Sequence, residues 1–169
     1  MNADSADGRD LLESFVTRTV VAAVEGHHRR DRAHRAIAGF SMGAYGAVNM
    51  AEHHPALFGQ VVSIAGYFDV DDPDGAFGGA PSLLARNRPD RHVGQLRATR
   101  VMLLDAKGER LRVIRGQSER MYQLLRRAGV PATLSLAPGV HDWRYVASQF
   151  PVLERFVETG WGASGVAAS

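Results

Sequence analysis

The sequence predicts an α/β fold with a mainly parallel sheet. Short apolar runs alternate with longer stretches of helical spacing along the whole chain. Those runs are continuously apolar rather than alternating, as strands covered on both faces are. At 169 residues, the length suits one domain, large enough to bury about 70% of its unfolded surface.

The elements follow in order. Residues 10–28 read as a helix: Leu11, Leu12, Phe15, Val16, Thr19, Val20, Ala23 and Val24 recur at helical spacing, Asp7-Gly8 stands at the start and Gly26 at the end. Residues 35–40 (RAIAGF) form a buried strand that runs into Ser41-Met42-Gly43. A second helix covers 44–53 until His54-Pro55 stops it, and 60–65 (QVVSIA) is the next strand. Residues 66–97 are rich in Gly, Pro, Asp and Arg and read as a long excursion with at most short helices, a kind of loop that is more often functional than idle. A strand at 100–105, a helix at 113–128 and a strand at 132–136 complete the alternation. A loop with Pro138, Gly139, Val140, His141 and Asp142 precedes a last helix at 143–158. Residues 1–160 are expected to be one domain, with 161–169 a flexible tail.

Composition narrows the function classes. The formal net charge is only +2, and Lys107 is the sole lysine among 20 basic residues. The arginines are spread along the chain, which calls for neither a nucleic-acid nor a membrane partner. The absence of cysteine excludes disulfides and thiolate chemistry. No apolar run approaches the roughly 20 residues of a membrane span. The polar, acidic start is not a signal peptide, so the chain as it stands reads as cytoplasmic, with a secreted parent as the alternative. No dinucleotide or phosphate-binding glycine motif occurs, and neither cofactor nor metal is expected.

The strongest chemical signal is Gly39-Phe40-Ser41-Met42-Gly43, a G-x-S-x-G pentapeptide between a buried strand and a helix. This is the strand-turn-helix setting of a nucleophile elbow in an α/β-hydrolase sheet. Glycines two residues to either side are expected to relieve crowding of a sharp turn at Ser41. The turn would expose the hydroxyl and make the Met42 amide an oxyanion donor. A serine needs a base. Of the seven histidines, His27, His28, His34, His53, His54 and His92 suit solvated or capping roles. His141 alone follows the last strand, and so fits the order Ser, acid, His. The acid should follow the strand 100–105. Glu109, in the loop beyond it, turns toward His141 more easily than Asp105 on the strand itself, and Asp105 stays as the alternative. Asp142 adjoins His141 and is poorly placed to orient its ring.

These residues resemble the esterase family of the esterase D and antigen 85 type. The stretch IAGFSMGAYGAVNMAEHHPALFGQVVSIAGYFD is similar to the family's elbow region, and APGVHDWRY to its catalytic-histidine motif. The resemblance runs from about residue 4 to 156. It implies an α/β-hydrolase fold, a mainly parallel sheet flanked by helices, and acyl transfer on small-molecule esters or thioesters. Ser41 takes the nucleophile's place and His141 the base's. The family's acid pattern points to Glu109, although Ala106 stands where glycine is usual.

Family members carry strands before the helix that leads to the elbow, and this chain begins almost at that helix. The expectation is therefore an N-terminally truncated hydrolase. It would have a half-built oxyanion hole and an open apolar sheet edge through which copies could associate. Tyr67, Phe68, Phe77, Trp143 and Tyr145 are candidates to line the substrate pocket. The sequence predicts a serine esterase or acyltransferase. The competing reading is a catalytically silent truncated hydrolase that serves as a binding or regulatory module.

Overall fold

The computed structural model describes residues 12–71 and 77–163. Four strands, β1 (Ala36–Phe40), β2 (Gln60–Ile64), β3 (Arg100–Ala106) and β4 (Ala132–Ala137), form one sheet in the order β1-β2-β3-β4, every pair parallel. The helices are α1 (Leu12–Ser14), α2 (Val21–Glu25), α3 (Met42–His53), α4 (Pro81–Arg86), α5 (Gln117–Arg127) and α6 (Trp143–Ala163). Helix α3 starts two residues earlier than its sequence pattern, directly after Ser41. Helix α6 runs three residues into the expected tail, whose remainder lies outside the described residues.

Strand periodicity divides the core in two. Val61, Val101 and Leu103 face one way and pack against Ala47, Val48 and Ala51 of α3 and Met121 and Leu125 of α5. Val62, Ile64, Met102 and Leu104 face the other way, against Tyr145, Val146, Phe156 and Val157 of α6. All five residues of β2 are buried, because helices cover both of its faces. Small residues let α3 lie close on the sheet: Ala44, Gly46, Ala47 and Ala51 are all buried.

The N-terminal helix departs from its apolar pattern. Leu12 and Phe15 are exposed and Val24 is 80% exposed, while Glu13 and Thr17 are the buried residues. Its middle, Phe15–Val20, is a π-helical turn. Thr17 Oγ1 donates to the Glu13 carbonyl at 2.7 Å, the back-bonding by which Thr competes with the helix ladder. The start expected at residues 7–10 lies outside the described residues. Val16, Val20 and Val24 line a groove of about 610 Å³ that continues over Ile37 and Ala38 of β1 and Phe58.

Among the described residues β1 pairs only with β2. The Arg35 carbonyl and the Ser41 N–H point toward β2, accepting from Gly59 and donating to Ile64. By alternation, the peptide groups of Ala36, Ala38 and Phe40 point outward. Ala38 is exposed, unlike any residue of β2.

Polar contacts hold the helix together with Val16, which packs on the core. Glu13 bridges the end of α3: Oε2 meets His53 Nδ1 at 2.9 Å and Oε1 meets His54 Nε2 at 2.8 Å, while His53 Nε2 donates to the Arg86 carbonyl. Burial opposes ionisation of Glu13, but the hydrogen bonds and charge of His53 and His54 outweigh it and hold the carboxyl below its ordinary 4.5. Burial likewise opposes protonation of His53, but its bonds to Glu13 and Arg86 hold it above its ordinary 6.5. A depressed carboxyl contributes stability above its unfolded value and loses it as pH falls through the folded one. A raised histidine contributes below its unfolded value and loses it as pH rises through the folded one. The clasp is therefore strongest between pH 4.5 and 6.5. Glu13→Gln should lower Tm most in that window, with the gap narrowing on either side. A gap independent of pH in thermal melts would contradict this.

Candidate active site

The site starts from a forced turn. Ser41 ends β1 and caps α3 with φ 56° and ψ −117°, a left-handed conformation that costs a non-glycine residue about 1–3 kcal/mol. Gly39 makes the turn possible, since a Cβ there would lie 2.0 Å from the Gly43 carbonyl oxygen and 2.7 Å from the Ala44 nitrogen. Gly43 differs from its expected role: a Cβ there meets nothing within 4 Å. The steric demand thus falls on the first glycine alone. The turn is tied to the sheet by Ser41 N–H donating to the Ile64 carbonyl, and to α3 by the Ser41 carbonyl accepting from Ala44 and Tyr45.

His141 Nε2 lies 3.0 Å from Ser41 Oγ, and His141 Nδ1 lies 2.9 Å from Glu109 Oε2. A carboxylate only accepts, so Nδ1 carries the hydrogen and Nε2 offers a lone pair to the serine hydroxyl. Glu109 is buried and held by its second oxygen, which accepts from the Leu111 N–H at 2.8 Å. The serine and the histidine are 100 residues apart in the chain.

Two loops bring Glu109 and His141 together. After β3 and β4, Lys107 N–H donates to the Ala137 carbonyl and Gly108 N–H to the Gly139 carbonyl. A Cβ on Gly108 would lie 2.4 Å from the Gly139 oxygen, and one on Gly139 would lie 2.5 Å from the Tyr145 ring. Both loops are therefore glycine-tight at their contact. Their only signal in the sequence is a glycine next to Glu109 and another two residues before His141. Asp142, weighed in sequence as a poor acid, accepts from the Tyr145 N–H at 2.8 Å. It thereby caps α6.

Asp105 does not reach His141. Its side chain is buried at the end of β3 and accepts from the Ala106 N–H. Burial pushes its carboxyl up to about 6, and the charges of Glu109 and Glu119 add to the effect.

The aromatic pocket candidates separate. Trp143 is 73% exposed beside the site. Phe68 is 1% exposed and belongs to the core under α3 and α5, so it cannot line an open pocket. Tyr145 is buried beneath the Gly139 loop, with burial raising its hydroxyl pKa, and Phe77 is buried with Tyr45 and Val70. Tyr67 is half-buried and stacked on Tyr45 at 5.4 Å. Aromatic side chains close in sequence to a site fill the core as readily as a pocket, and here burial decides against Phe68, Phe77 and Tyr145. Sequence reasoning missed Phe40, whose ring centroid lies 4.6 Å from that of His141. The large groove along β1 is lined by neither Ser41 nor His141. The described residues contain no cluster of three metal-ligating side chains, and none of their helices is long and apolar enough to cross a membrane.

A parallel sheet flanked by helices, with a strained serine between strand and helix facing a histidine and a buried carboxylate, defines the α/β-hydrolase type of fold. The chain belongs to the esterase family: the family model described as "Putative esterase" matches residues 1–156. Similar solved structures include a ferulic acid esterase, 25% identical with TM-score 0.78, over 94% of this chain and 64% of that one. An S-formylglutathione hydrolase from Agrobacterium tumefaciens is 19% identical with TM-score 0.72, over 92% of this chain and 61% of that one. The fluorophosphonate-binding serine hydrolase F of Staphylococcus aureus is 20% identical with TM-score 0.72, over 95% of this chain and 67% of that one. This chain thus spans somewhat under two thirds of the first two. No curated protein sequence matches it.

The Asp105 environment carries a pH signature distinct from the Glu109 contact. A carboxyl raised from 3.8 to about 6 costs the fold nothing below its unfolded value and the full amount above its folded one. Asp105→Asn should therefore stabilise the protein by on the order of 1–3 kcal/mol above pH 7 and leave stability unchanged near pH 3.5. Denaturant melts at the two pH values measure it, and an equal effect at both would refute the assignment.

Proposed function

We propose that this chain is a serine esterase or acyltransferase acting on small-molecule esters or thioesters. The carrying observation is the hydrogen-bonded chain Ser41–His141–Glu109, at 3.0 and 2.9 Å. In this reading Ser41 Oγ attacks the acyl carbon and His141 Nε2 takes its proton. Glu109 holds the imidazole in the tautomer that leaves Nε2 free to accept. The oxyanion forms beside the first turn of α3, where the Met42 amide supplies a donor. The imidazolium returns its proton to the leaving alcohol or thiol, and water or an alcohol then resolves the acyl-enzyme by the same route. Trp143 stands at the rim, where an acyl or alcohol group would pass. No step calls for a metal or cofactor.

A second reading, a catalytically silent binding or regulatory module, is favoured by the outward-facing peptide groups of β1 and the apolar groove beside them. There the edge takes up a further strand, and a second copy is the simplest source.

A fluorophosphonate probe separates the two. The purified chain should label, and Ser41→Ala and His141→Ala should abolish labelling. Glu109→Gln should slow it by on the order of 10³- to 10⁴-fold, while Asp105→Asn should stay within a few-fold of the parent. A folded chain that does not label, or labelling that persists in Ser41→Ala, would sink the esterase reading. Light scattering that finds a dimer in a non-labelling chain would favour the second.

A further inference from the structure

We infer that Phe40 is a positioning residue that stabilises the positive charge formed on His141 during turnover. The inference rests on the triad reading above. Along an undisturbed strand, consecutive side chains point to opposite faces. The left-handed turn at Ser41 breaks that alternation, so Phe40 and Ser41 both meet the same imidazole. Ser41 meets the ring at Nε2, Glu109 meets it at Nδ1, and the Phe40 ring lies against it, tilted by 30° with centroids 4.6 Å apart. The imidazole is thus met by three side chains of different chemistry, one at each nitrogen and one aromatic ring.

Phe40 is itself held in place. Its backbone belongs to β1, in register with Ile64, and its ring lies 5.2 Å from that of Trp143 at 54°. This second contact sets the exposed Trp143 against the Phe40 ring.

The charge appears in one step. As the bond from Ser41 Oγ to the acyl carbon forms, the hydroxyl proton passes to Nε2, and the neutral imidazole becomes an imidazolium. The negative face of an aromatic ring attracts a cation within about 6 Å of its centroid, and the 4.6 Å separation is inside that range. The attraction is absent while His141 is neutral. It therefore favours the transition state over the bound substrate and acts on kcat rather than KM.

The test uses the purified full chain with p-nitrophenyl acetate, alongside fluorophosphonate labelling. Phe40→Leu keeps an apolar side chain of similar bulk but removes the aromatic face. It should lower kcat by roughly 3- to 30-fold with KM unchanged. Phe40→Tyr and Phe40→Trp, which keep the face, should retain turnover close to the parent's, and melting temperatures should show all three folded. A Phe40→Leu variant with parental kcat overturns the inference, as does an equal loss in all three or a loss confined to KM. A parent chain that neither labels nor turns over defeats the triad reading itself and the inference with it. Loss in Phe40→Leu against a labelling parent is the result that supports it.

Discussion

The structure depends on a backbone that must turn sharply at Ser41. Strand β1 arrives from one side of the sheet and α3 leaves along a face of it, and the reversal occurs within one residue in a left-handed conformation. Gly39 is the permissive element, because any side chain there would strike the carbonyl of Gly43. The strain at Ser41 is held by its N–H in the sheet and its carbonyl in the helix. Strain of this kind persists only where the surroundings over-determine it, and here a buried α3 anchored on two parallel strands does so. The result is a hydroxyl displayed at the C-terminal end of a strand, where α/β sheets gather their ligands.

The same end of the sheet collects the other two side chains. All four strands run parallel, so the loops after β3 and β4 emerge together with the elbow after β1. Two backbone hydrogen bonds close the Glu109 loop on the His141 loop, and glycines at the contact let the peptides approach. The site is thus assembled by strand order, while its fine geometry comes from a few close backbone approaches. Asp105 shows the difference: it sits on the strand, buried and accepting from the Ala106 N–H, whereas Glu109 lies four residues on, where the chain has room to turn to His141.

The opposite side of β1 is built differently. Its outer peptide groups face no described strand, and the neighbouring helix is secured by a Glu13–His53–His54 clasp and by Val16, which packs on the core. Val20 and Val24 line a groove, and Val16 both lines it and packs on the core. Amphipathic spacing records that a face is meant to be covered, but not which element covers it. That is why the pattern shows a helix but not how deeply each of its residues is buried.

The sequence by itself determined the alternation of strands and helices, the serine at a strand-to-helix turn and the one histidine after the last strand. Each is a local property: apolar periodicity, a glycine-flanked pentapeptide, a position in chain order. Only the tertiary structure set Glu109 rather than Asp105 against His141, sent Phe68, Phe77 and Tyr145 into the core while leaving Trp143 outside, and set Phe40 against the imidazole. Those outcomes depend on which backbones touch across tens of residues and on which way a buried side chain turns. Both are fixed by packing, and a pattern read along one chain does not contain them.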